Sequence, residues 1–97
     1  MSLLGIPTSE MEVWIRSVNI AAYLPGRVRL YADKLVNNPA LAQDIRARFA
    51  AYPEIEAVEL SLATGSILIK YRPEVLRQNS ELKKIEEYIM THAKRRN

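Results

Sequence analysis

The pattern of apolar and polar positions changes period several times along the chain. Over residues 27–33, Val28, Leu30 and Ala32 alternate with Arg27, Arg29 and Tyr31, the two-residue period of a strand with one buried face. Residues 56–62 repeat that period, with Val58, Leu60 and Leu62 on one face and Ala57, Glu59 and Ser61 on the other. Residues 66–72 do so again through Ile67, Ile69 and Tyr71. Between the first two of these, Leu41, Ile45, Phe49 and Tyr52 recur at helical spacing and form one apolar stripe. Asn38 supplies an N-cap for that helix, and Pro39 takes the first helical position, where a missing N–H costs nothing. Pro53 stops it. Leu82, Ile85 and Ile89 mark a second helix, which starts from Asn79 or Ser80 after a polar connection and runs into Lys94, Arg95 and Arg96. Residues 12–24 are rich in strand-forming side chains, among them Val13, Trp14, Ile15, Val18, Ile20 and Tyr23, and are predicted to form an N-terminal strand.

Two turns punctuate this series. Pro25-Gly26 separates the first two strands, and Ala63-Thr64-Gly65 joins the last two as a tight hairpin. The order strand, strand, helix, strand, strand, helix predicts an α/β fold of the α+β kind, a ferredoxin-like two-layer sandwich. Its four-stranded antiparallel sheet carries both helices on one face. That fold usually closes its sheet with an edge strand after the second helix, and here the N-terminal strand is expected to take that edge beside the second strand. A two-residue turn at Pro25-Gly26 would pair Leu24 with Arg27 and Ile20 with Tyr31, turning Val18, Ile20, Ala22 and Leu24 away from Val28 and Leu30. One added loop or bulge residue restores a common apolar face. Without it, an apolar band lies beside Arg27 and Arg29, and a homodimer is the natural cover.

Composition narrows the functional classes. The 97 residues suit one domain, expected over 12–97 behind a flexible arm at 1–11. The net charge of +3 permits an acidic partner without demanding one, and the basic residues lack the dense stripe of a dedicated nucleic-acid binder. Leu3, Leu4 and Ile6 are broken by Gly5 and Pro7, and no apolar run approaches a membrane span, so a cytoplasmic protein without direct membrane insertion is expected. The chain has no cysteine, which excludes disulfides, thiolate metal sites and a cysteine nucleophile.

From Pro25 onward the sequence resembles a known family. Pro25-Gly26-Arg27-Val28-Arg29-Leu30, Asn38-Pro39-Ala40-Leu41, Val58 and Thr64-Gly65-Ser66-Ile67-Leu68-Ile69-Lys70-Tyr71 are similar to variant heavy-metal-associated domains. Those domains occur alone or at the N-termini of some heavy-metal-transporting P-type ATPases, and they carry Pro-Gly-Arg-x-Arg where ordinary members have a Cys-x-x-Cys metal loop. Pro53-Glu54-Ile55 stands where the family usually has Pro-Gly-Val. The resemblance implies an accessory role in metal homeostasis or transport, exercised by docking on a transport ATPase or on another copy. It implies no thiolate metal site, no metal ligand set and no cofactor.

Among the candidate residues, Arg27 and Arg29 point the same way from their strand, and their guanidinium forks match carboxylate or phosphate. With Tyr31 they form the candidate binding site, for a partner protein or, as the alternative function, for an anionic ligand or RNA. Pro25, Gly26, Thr64, Gly65 and Ser66 are read as motif and turn residues, the last three as a turn and not a phosphate loop. His92 has no companion at ligand spacing and is assigned a structural or surface role. Glu81, Glu86 and Glu87 are read as the solvated face of the last helix. Lys94, Arg95 and Arg96 complement its C-terminal dipole. Ser61, Ser66 and Ser80 lack a sequence signal of a catalytic base, so no enzyme is expected.

Overall fold

The structure is a computed structural model and describes residues 10–93. Most of the arm expected at 1–11, and the basic end Lys94, Arg95 and Arg96, lie outside those residues. The chain runs α1 (Glu10–Ile15), β1 (Asn19–Leu24), β2 (Arg27–Tyr31), α2 (Pro39–Ala50), β3 (Ile55–Ser61), β4 (Ser66–Tyr71), α3 (Pro73–Leu76) and α4 (Ser80–His92). One antiparallel sheet has the order β1-β2-β4-β3, so α2 carries the chain over β4 between two parallel strands. This is the α+β sandwich expected from the sequence, with β1 on the edge beside β2.

The predicted strand over 12–24 is corrected in its first half, which is helical. Met11 and Ile15 are four residues apart and both buried, so one short turn of helix places them in the core. The Trp14 ring meets Phe49 of α2 edge-on at 5.8 Å, closing that end of the core. Tertiary burial here overrides the β-propensity of Val13 and Ile15. A second correction concerns the connection after β4. It contains α3, with Pro73 at its start and Leu76 buried, where a polar loop was expected.

The register of the edge strand rests on a bulge. Leu24 pairs with Arg27, Tyr23 with Val28 and Ala22 with Arg29, but Ile20 pairs with Leu30 because Ala21 is an extra residue. The bulge returns Ile20 to the helix side, where it packs with Tyr23 against the core. Ala22 and Leu24 stay on the opposite face.

The helices are fixed by their caps. Asn38 Oδ1 accepts from the Leu41 N–H at 3.1 Å, with Pro39 next in the chain. Asn79, the first of the two candidates, caps α4 by accepting from Glu81 N–H at 3.0 Å and Leu82 N–H at 3.3 Å. Ile45 and Phe49 of α2, and Leu82, Ile85 and Ile89 of α4, pack on Val28, Leu30, Ile67, Ile69 and Tyr71 of the sheet in one buried cluster. A 3-10 turn at Asp33–Leu35 adds Leu35, which is fully buried.

Candidate functional site

The alternation in β2 and β4 divides the sheet into two unlike faces. Rows of paired residues on the helix side read Tyr23, Val28, Ile69, Val58 and then Ile20, Leu30, Ile67, Leu60. Rows on the bare side read Leu24, Arg27, Lys70, Ala57; then Ala22, Arg29, Leu68, Glu59; then Asn19, Tyr31, Ser66, Ser61. Arg27, Arg29 and Tyr31 are therefore brought together at the centre of the open face, beside the most exposed large apolar side chain described, Leu24 at 63%.

The charges on that face are not equally engaged. Lys70 Nζ lies 3.3 Å from Glu59 Oε2, and Arg72 Nε at the end of β4 lies 3.2 Å from Glu56 Oε2. Arg27 and Arg29 make no ion pair among the described residues. The β3–β4 half of the face is thus neutralised from within, while the β1–β2 half is basic and partly apolar.

The motif glycines hold the two ends of the central β2–β4 pair. Gly26 has φ +90, and its carbonyl accepts from the Tyr71 N–H at 3.0 Å. A Cβ there would stand 2.9 Å from Tyr71 O. Gly65 has φ +78, its carbonyl accepts from the Ala32 N–H at 2.9 Å, and a Cβ would stand 2.6 Å from Ala32 O. Both positions need a left-handed backbone in a space that excludes a side chain. Thr64 Oγ1 accepts from the Ser66 N–H at 3.3 Å and donates to Ser66 Oγ at 3.1 Å, so these hydroxyls serve the hairpin turn. Pro25 precedes Gly26 in the β1–β2 turn.

Reading Glu86 as solvated is corrected by the structure. Its side chain is 4% exposed, and four hydrogen bonds converge on it. Tyr23 and Tyr71 donate to Oε2 at 2.9 and 2.7 Å, while Arg77 donates from Nε to Oε1 at 2.7 Å and from Nη2 to Oε2 at 3.0 Å. Burial by itself would raise the carboxyl pKa, but the bonds from Arg77, Tyr71 and Tyr23 outweigh it and hold the group below its ordinary value. Burial and the adjacent carboxylate push the hydroxyls of Tyr71 and Tyr23 above theirs. The sequence did contain a signal for this cluster. Glu86 lies four residues after Leu82 and three before Ile89, on the edge of the apolar stripe. Glu81 is also engaged, accepting from the Tyr52 hydroxyl at 3.0 Å.

The donor set does not fit a heavy-metal ion. There is no cysteine in the chain, and no group of three or more His, Asp or Glu side chains is placed to hold a metal among the described residues. Exposed His92 stacks on the Tyr88 ring at 4.0 Å and donates from Nδ1 to the Tyr88 carbonyl at 2.8 Å. Glu54 Oε1 is the buried side-chain oxygen lacking a partner among the described residues, and a lone hard oxygen does not select soft ions. No helix among the described residues is long and apolar enough to cross a membrane.

Comparison with known proteins adds one result. The family described as heavy metal associated domain 2 matches residues 8–93, a span that takes in α1 and every later element. No curated protein and no solved structure matches the chain.

Proposed function

Because the chain belongs to the heavy metal associated domain 2 family, we propose that it serves metal homeostasis or transport as a non-enzymatic, cytoplasmic accessory domain. It docks on a partner protein through its open sheet face and does not carry the metal on thiolates. The observation behind this reading is the pair Arg27 and Arg29, exposed at the centre of a face whose neighbouring cations already have carboxylates. The Cα atoms of alternate residues on one strand stand about 6.6 Å apart, so two arginines there can present their guanidinium forks side by side to two carboxylates of an acidic surface. The heavy-metal-transporting P-type ATPases implied by the sequence resemblance are the first partners to test.

The experiment is a titration of the protein against the cytoplasmic regions of such an ATPase, repeated with Arg27→Ala/Arg29→Ala. Loss of two charge-assisted contacts should weaken binding at least about tenfold. Added salt should weaken the wild-type complex progressively. Wild-type affinity in the double variant would remove the arginine face from the mechanism. Tyr31 on the same face favours a second reading, binding of an anionic ligand or RNA. A salt-sensitive mobility shift with RNA at near-physiological ionic strength, together with no ATPase binding, would select it.

A further inference from the structure

The two edges of the sheet are defended differently. At β3, Glu56 and Glu59 are exposed, and the Arg46 guanidinium of α2 reaches the Val58 carbonyl at 3.5 Å. Antiparallel pairing of β3 with its own copy would bring like charges together over an edge already partly covered. At β1, residues Asn19–Leu24 contain no charge and no proline, and Leu24 is 63% exposed. Pairing β1 with β3 of another copy is head-to-tail and would propagate into open assemblies, whereas β1 with β1 closes on a two-fold axis.

We propose that this protein forms a homodimer by antiparallel pairing of β1 with β1 of a second copy, joining the two sheets into one of eight strands. The bulge fixes the register. It leaves Ile20 on the helix side and Ala22 and Leu24 on the open side, so an axis at Ala22 would set Leu24 against an Ile20 that faces the other way. An axis at Tyr23 has no such conflict. It sets Tyr23 opposite Tyr23 on the helix side and Leu24 opposite Ala22 on the open side, a large residue against a small one at both symmetry-related positions. The cations do not oppose this. The two β2 strands lie three strand spacings apart, about 14 Å, beyond the Debye length of about 8 Å at physiological salt. The dimer goes beyond the docking role and is independent of it, since the arginines stay outside the shared edge and on one continuous face.

Sedimentation equilibrium over a wide concentration range tests the association. The wild type and Arg27→Ala/Arg29→Ala should both dimerise, while Leu24→Lys should weaken the dimer at least about tenfold without unfolding the domain, because position 24 is largely in solvent. Crosslinking tests the register even if Leu24→Lys disturbs the fold. Since the chain has no native cysteine, every disulfide reports introduced thiols. Mixing Ala22→Cys with Leu24→Cys under mild oxidation should give the mixed dimer, because facing residues meet the Cα separation of about 4.4–6.8 Å that a disulfide requires. Each variant alone should crosslink poorly. A wild type that stays monomeric at millimolar concentration, or same-residue crosslinks that dominate the mixture, would overturn the proposal.

Discussion

On the helix-covered side of the sheet the Glu86 carboxylate is 4% exposed and receives four hydrogen bonds from three side chains; on the bare side Arg27 and Arg29 are exposed and have no carboxylate partner among the described residues. Charge occurs on both sides, but its environment assigns it different work. A buried carboxylate is tolerable only when its lone pairs are taken up by the protein, and its donors come from β1, β4 and the α3–α4 connection. Exposed guanidinium groups keep most of their hydration and contribute little to stability, which leaves them free for another molecule. Strand β2 alone displays the contrast one residue apart, since Val28 and Leu30, 2% and 0% exposed, alternate with the outward-facing Arg27 and Arg29.

The sharpest test of this contrast sets those neighbours against each other. Val28→Asp or Leu30→Asp places an unpaired carboxylate in the core and should cost more than about 4 kcal/mol, enough to abolish a cooperative melt in a domain of ordinary stability. Arg27→Ala/Arg29→Ala should stay within about 0.5 kcal/mol of wild type in urea titrations. Similar losses for both pairs would show that the open face is part of the stabilising structure.

Glu86→Gln comes next. It keeps the side-chain shape, removes the charge and should destabilise by about 3 kcal/mol, the low end for a broken buried pair because Arg77 can turn toward water. The folded carboxyl lies below its ordinary value of 4.5, so its stabilisation is complete above that value and is lost as pH falls through the lower folded one. Acid titration of the melting temperature should therefore separate wild type from Glu86→Gln at neutral pH and narrow that gap as pH falls below 4.5 toward the folded value. Tyr23 and Tyr71 act at the other end of the scale. Their raised folded values give stability that is present below the ordinary value of 10.0 and is lost as pH rises toward the folded values.

A smaller loss than that at Glu86 separates motif from face. Gly65→Ala forces a Cβ into a left-handed turn and against the Ala32 carbonyl, and should cost about 2 kcal/mol while leaving the arginines in place. Thermal melts should shift, but partner affinity measured well below the melting temperature should not. A variant that loses binding while fully folded would make the Thr64-Gly65-Ser66 turn part of the docking surface.

Much of the fold was legible because it repeats locally. The alternation through Val28 and Leu30, and through Ile67, Ile69 and Tyr71, identified strands with one buried face, and that alternation also placed Arg27, Arg29 and Tyr31 together on the other face. The stripe of Ile45 and Phe49 and the caps at Asn38 and Asn79 were equally local. The N-terminal segment misled because Val13, Trp14 and Ile15 favour strands by composition, whereas Met11 and Ile15 form a helix by position. Glu86 misled because a glutamate on a helix is normally wet, and nothing near it in sequence identifies Tyr23 as a donor 63 residues away.

By itself, then, the amino-acid order determined the periods, the turns, the caps, the absence of thiolate chemistry and the sharing of one strand face by two arginines. These follow from backbone geometry and side-chain type within a few residues. Tertiary structure alone decided where the bulge falls, that Glu86 is buried and that, among the described residues, Arg27 and Arg29 lack a carboxylate while Lys70 and Arg72 have one. It also decided which sheet edge is left uncharged. Each of these depends on which distant segments meet, and packing chooses among arrangements that the local pattern leaves equal.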